Sequence, residues 1–204
     1  MQDRIRLVSE EMLSDDWGVL KKHVFDYRRR DGGWERQSRE VYDRGHGAAI
    51  LPFDPARGTV LLVRQFRFPA WMTGYREPLL EVCAGLLDSD DPMTCIRKEA
   101  EEELGYRLGE VALAFNPYMS PGSVSERLWC FTAEYTPQDR ISEGGGAAGE
   151  GEDIEVVEIR LEDAVAAIGD GRIIDAKTIM LIQHVFLAVL ARRDPARSAA
   201  SAAG

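Results

Sequence analysis

At 204 residues and 45% apolar content, the chain is long enough for one domain with a closed core, or for one domain and a small appendage, and composition excludes disorder throughout. A net charge of -10 argues against a nucleic-acid or anionic-membrane partner held by bulk electrostatics, and points to partners that are small or reached through metal ions. Cys83, Cys95 and Cys130 lack metal-ligand spacing, and MQDRIRLVSEEML has acids where a secretory signal needs an apolar run, so a reducing cytoplasm is expected.

Residues 1–43 alternate apolar and polar in pieces. WGVLKKHVFDYRR, the turn signal DGG and WERQSREVYDRG predict a hairpin or short meander, a small N-terminal β module. From Gly45 the strands become denser: GAAILPF, TVLLVRQFRF after the turn DPARG, and ERLWCFTAEY have the texture of central strands in a mixed sheet. Between them Asp91 to Leu104 predicts a helix, with Asp91 as N-cap, Pro92 at the first helical position and Gly105 as a left-handed stop. PQDRISEGGGAAGEGED is a glycine-rich acidic loop of a length that is usually functional or disordered. The strand IEVVEIR follows, then the helices LEDAVAAIGDG and Ala176 to Arg192, the second apolar nearly all round and expected to be buried. The apolar run at 179–191 is too short to span a membrane, and DPARSAASAAG is expected to be a disordered tail, 194–204, after a main domain at 44–193.

In the 91–104 helix, Met93, Ile96, Ala100 and Leu104 fall on one apolar stripe, with Glu99, Glu102 and Glu103 along its edge and Glu101 pointing away. Like charges at that spacing repel by a few tenths of a kcal/mol per pair, more when partly buried, so something must compensate. One reading pairs Arg97 and Lys98 with Glu101 and Glu102 on an ordinary solvated face. The other is a set of hard oxygen ligands for Mg²⁺, or Mn²⁺ in its place, as in sites that work on phosphates.

AGLLDSDDPMTCIRKEAEEELGY resembles the Nudix box: a glycine, an acid, then RE, an apolar residue, any residue, EE, any residue, and G. Lys98, Glu99, Ala100, Glu102, Glu103 and Gly105 match its second half, with Lys98 where Arg is usual. The spacing from Gly85 to Lys98 is one residue shorter than usual, and Asp90 or Asp91 stands where Glu is expected. The shortened box resembles the GDP-mannose pyrophosphatase branch of the superfamily, and the likeness extends through SREVYDRG, RQFR, YMSPG and GGG followed by acids and DIEV.

The resemblance implies an α/β (α+β) Nudix fold, a mixed sheet sandwiched between helices, and a Mg²⁺-dependent hydrolase that splits GDP-mannose into GMP and mannose 1-phosphate. It implies metal ligands at Glu99, Glu103, Glu152 and the carbonyl of Ala84, with Glu102 a ligand or outer acid. Glu152 or Glu150 would position or deprotonate the attacking water. Arg67, Ala84, Gly85, Leu86, Glu126 and Lys177 would contact the substrate. The N-terminal module would pack on a second subunit, so that Trp17, Ser38, Arg39 and Glu40 complete the partner's nucleotide pocket; a Trp anchoring a hairpin core is the other reading of Trp17. Two further readings stay open: an ADP-ribose or broader nucleoside-diphosphate-sugar pyrophosphatase, and a catalytically silent nucleotide-sugar sensor. His23, His46 and His184 are scattered without zinc spacing, and no Cys-His pair is evident.

Overall fold

A computed structural model describes residues 1–146 and 151–193, and the chain divides into two units. The expectations for Glu150 and the 194–204 tail lie outside the described residues.

The first unit joins Met1–Gly47 to Pro117–Leu128. Its sheet is a three-stranded antiparallel meander of β1 (Ile5–Asp15), β2 (Val19–Arg28) and β3 (Trp34–Asp43), with Leu7 opposite Phe25 and His23 opposite Arg39. The alternation in the sequence located β2 and β3 but not β1, whose residues are all exposed and so carry no buried face to write a pattern. At Gly18, in the β1–β2 turn, a Cβ would lie 2.5 Å from the Tyr42 hydroxyl, so a larger residue there would displace the end of that side chain. The 117–128 segment docks beside β3, with Tyr42 N–H donating to Ser123 O at 2.9 Å and Ser125 N–H to Tyr42 O at 3.1 Å.

The second unit holds 48–116 and the chain from Trp129. Its strands are β4 (Gly47–Asp54), β5 (Thr59–Gln65), β6 (Leu79–Glu81), β7 (Cys83–Leu86), β8 (Val111–Phe115), β9 (Leu128–Glu134) and β10 (Ile154–Arg160). Among the described residues they form one sheet in the order β10-β5-β4-β9-β8, with β6 on β5 and β7 on β4. Its helices are α1 (Phe68–Met72), α2 (Pro92–Glu99), α3 (Leu161–Gly169) and α4 (Ala176–Arg193).

The runs AAIL in β4 and VLLV in β5 are buried on both alternating faces, which is what continuous apolar strands demand and why the sheet needs cover on both sides. Ile50, Leu61, Val63 and Phe131 pack with Cys95, Ile96, Ala100 and Leu104 of the carboxylate helix in one core. On α3 and α4 the buried apolar side chains include Leu161, Ala164, Ala167, Leu181, Ile182 and Val185.

Two expectations shift. The strand TVLLVRQFRF stops at Gln65, and Arg67 becomes the N-cap of α1, because Pro69 cannot donate to a ladder but suits a first helical turn. The last helix is one-sided rather than buried: Thr178, Leu181, Ile182 and Val185 face inward, whereas Leu187 and Leu190 are exposed. No helix among the described residues is long and apolar enough to cross a membrane.

Candidate active site

The site is built around the end of α2. Asp91 caps its start, accepting from Met93 N–H at 3.0 Å and Thr94 N–H at 3.2 Å, and Pro92 occupies the first position, where no donor is missed. After Glu99 the helix widens into a single π turn, Ala100–Leu104, and the N–H groups of Gly105 and Tyr106 both reach back to the Ala100 carbonyl. Gly105 closes it in the left-handed region at φ 75°.

The wide turn separates the glutamates that regular spacing would cluster. Glu103 is turned inward and is 2% exposed, whereas Glu102 stays outside, 3.7 Å from Lys98. Glu101 pairs with Arg107 at 2.9 Å, and Arg97 donates to the carbonyls of Leu108 and Gly109 at 2.7 Å each rather than to Glu101. The solvated-face reading therefore holds for the Lys98–Glu102 pair and not for Arg97.

Glu103 Oε2 accepts from Ala84 N–H at 3.2 Å, and the Cys83 thiol donates to the same carboxylate. Burial pushes this carboxyl up to about 7; the Cys83 and Ala84 donors oppose the shift, and the negative charges of Glu99 and Glu152 add to it. Glu99 lies over the backbone of Gly85, where a Cβ would collide with its carboxylate, so the glycine opens the space the glutamate occupies. Leu86 ends the same strand, its carbonyl accepting from Cys95 Sγ at 3.3 Å.

Glu152 comes from the acidic loop, part of which is held rather than free. Ile141 N–H donates to Gly105 O at 2.7 Å, Gly145 N–H to Glu103 O at 2.9 Å and Gly146 N–H to Glu102 O at 3.1 Å, so the loop satisfies the carbonyls left open at the helix end. Gly146, at φ 94°, leaves no room for a Cβ against the Glu152 side chain. Glu99 and Glu152 are thus both in electrostatic reach of Glu103, although as they stand no three acidic, His or Cys side chains among the described residues close around an ion. Carboxylate oxygens of this kind are the hard donors that divalent cations take.

Beside this set stands Glu81, which sequence reasoning missed. It is 2% exposed on β6, and Arg67 grips it with two bonds, Nε at 2.9 Å and Nη2 at 3.2 Å, while Lys177 donates at 2.5 Å. Burial alone would raise its carboxyl, but Lys177 and Arg67 outweigh that and the net shift is downward. Lys177 also meets Asp175 at 3.0 Å, and Asp175 caps α4 by accepting from Thr178 N–H at 3.0 Å. A signal was present: a lone acid inside the apolar run LLEVC needs a buried partner.

In the first unit Trp17 is 68% exposed in the β1–β2 turn, 5.9 Å below the Arg44 guanidinium, and so does not anchor the hairpin core. Ser38, Arg39 and Glu40 are exposed on β3, and Arg39 lines a cavity of about 590 Å³ with His23, Phe25, Tyr118 and the 121–125 turn. Glu126 is buried and ion-paired with Arg44. Cys83, Cys95 and Cys130 are buried and form no disulfide, and burial raises all three thiols, which suits core residues and not nucleophiles.

Comparison with known proteins agrees with this architecture. Residues 4–42 match the GDP-mannose pyrophosphatase NudK N-terminal domain, and residues 43–181 match the NUDIX domain. A GDP-mannose pyrophosphatase of Pectobacterium atrosepticum is 53% identical over 188 residues, covering 92% of this chain and 96% of its own. One from Citrobacter koseri is 47% identical over 186 residues, covering 91% and 96%. A crystal structure of an ADP compounds hydrolase superposes with a TM-score of 0.70 over 93% of this chain and 96% of that one, at 15% identity, and shares the fold. From its two domain matches and from relatives that align along nearly its whole length, the chain belongs to the Nudix family, in the branch that carries the GDP-mannose pyrophosphatase N-terminal domain.

Proposed function

We propose that this Nudix hydrolase splits the pyrophosphate of GDP-mannose into GMP and mannose 1-phosphate with Mg²⁺ as cofactor. The observation that carries the reading is the buried, proton-hungry Glu103, with Glu99 and Glu152 as its electrostatic neighbours, in a chain 47 to 53% identical to GDP-mannose pyrophosphatases. A divalent cation held by these carboxylates would neutralise phosphate charge and lower the pKa of a coordinated water. Arg67 and Lys177 offer two cations to the pyrophosphate, and Ala84, Gly85 and Leu86 offer backbone at the strand end beside it. Glu152 or Glu150 positions the water and takes its proton, with Glu102 as an outer acid, as oxygen attacks one phosphorus and the bridging P–O bond breaks.

The working enzyme is a cytoplasmic homodimer in this account. The N-terminal module, residues 1–43, is the dimerisation arm, and the main domain is 44–193. β1 is an edge strand with Ile5, Leu7, Val8, Met12 and Leu13 all exposed, and a second copy is the natural cover for such an edge. Trp17, Ser38, Arg39 and Glu40 then serve the partner's nucleotide pocket, and Glu126 contacts substrate or its water.

Purified protein with Mg²⁺ and a panel of nucleotide sugars tests this. GMP and mannose 1-phosphate as the favoured products support it; preference for ADP-ribose, or binding without turnover, replaces it with one of the other two readings.

A further inference from the structure

Arg67, Lys177 and Glu81 form a cluster that neutralisation alone does not explain. A carboxylate buried to 2% exposure needs a partner, but one cation satisfies that need, and two converge here. Lys177, 14% exposed, already has Asp175 at 3.0 Å. Arg67 spends Nε and Nη2 on Glu81, its Nη1 makes no hydrogen bond to a described residue, and its side chain is 40% exposed. One edge of the guanidinium is therefore fixed and the other is presented outward. The cluster is also tied to the metal carboxylates by a short backbone path. Val82 N–H donates to Thr178 Oγ1 at 2.8 Å and Ala84 N–H to Glu103 at 3.2 Å, so residues 81–84 set the cations and Glu103 in one rigid frame.

We propose that Glu81 is a positioning residue of the phosphate site: its buried carboxylate clamps Arg67 and Lys177 side by side, so that both cations meet a pyrophosphate in one fixed arrangement. This rests on the phosphoanhydride reading but not on which sugar the substrate carries. A clamped guanidinium has already lost the side-chain freedom that binding would otherwise remove, so fixing it favours affinity as well as orientation. Glutamine at 81 keeps the volume, accepts from one cation through its carbonyl and turns an N–H₂ toward the other, which releases one of the pair.

The test is the Kd of inorganic pyrophosphate, by calorimetry, on the full chain with Mg²⁺, an equilibrium readout that stands apart from any hydrolysis assay. Glu81→Gln is expected to raise that Kd at least tenfold, and Glu81→Asp, which keeps the charge on a shorter arm, to give an intermediate value. In an Arg67→Ala, Lys177→Ala background the Glu81→Gln effect is expected to shrink below threefold, because Glu81 acts through those two side chains. Loss of folded protein lowers the measured stoichiometry and leaves Kd alone, so a merely structural role does not imitate this result; if Glu81→Gln does not fold, Glu81→Asp carries the test. A Kd within twofold of wild type in the soluble variant, an effect undiminished in the double-alanine background, or wild-type protein that binds no pyrophosphate would each overturn the proposal. Failure of the GDP-mannose reading is seen separately, in the product panel, with the pyrophosphate Kd unaffected.

Discussion

A carboxylate buried beside two others can lower its energy by binding a proton or a cation. Glu103, raised from an ordinary 4.5 to about 7 by burial and by Glu99 and Glu152, is in that position. The sign follows from linkage: between pH 4.5 and 7 the metal-free native state holds a proton that the unfolded chain has released, so stability falls as pH rises through that window and levels off above it. The full effect is roughly 3 kcal/mol. Mg²⁺ relieves the same repulsion, so its thermal shift is expected to be small at pH 5 and largest near pH 8; equal shifts at both would remove Glu103 from the ligand set. Gly85→Ala is expected to expel Glu99 from its place, because the added methyl meets the end of that side chain. Since only a flexible side chain must move, the metal-free melting temperature should change by no more than about 4 °C, whereas turnover should fall at least ~10-fold. Calorimetry and a product assay on one preparation check both halves.

At the scale of elements, the π turn and the loop that covers it act together. Gly105 sits at φ 75°, and a Cβ there would strike the backbone at Ser142 and Gly144, which cannot swing aside as a side chain can. Gly105→Ala is therefore expected to cost at least about 2 kcal/mol by chemical denaturation, and to loosen residues 141–146 so that their amides exchange faster. Much of this element was legible in the sequence. Asp91, Pro92 and Gly105 marked the ends of the helix, and Ile96, Ala100 and Leu104 marked its buried side, since caps and periodicity are local. The widening after Glu99 was not legible: a regular 100° step puts Glu102 with Glu99 and Glu103, and a change of helical pitch leaves no mark in composition. Arg97 and Glu101 found Leu108, Gly109 and Arg107 instead of each other, partners that only the chain's return could supply. β1 was hidden for the opposite reason, having no buried face, and Glu81 was overlooked because its two cations lie 14 and 96 residues away.

At the scale of the whole molecule, the exposed edge of β1 and the carboxylate site make one claim each. Leu7 and Met12 are exposed, so Leu7→Glu with Met12→Glu should leave each copy folded; the wild-type chain is expected to sediment as a dimer and the double variant as a monomer with a raised KM. A wild-type monomer would remove the arm from the account. The central claim is chemical, that water attacks phosphorus at the site built on Glu99, Glu103 and Glu152. It is tested most directly by mass analysis of the products of GDP-mannose and Mg²⁺ in ¹⁸O-water, with Glu103→Gln alongside. The prediction is GMP and mannose 1-phosphate, one of them carrying a single ¹⁸O on its phosphate, and a loss of at least ~100-fold in the variant. GDP and free mannose, in which the pyrophosphate bond survives, or normal turnover by Glu103→Gln, would contradict it.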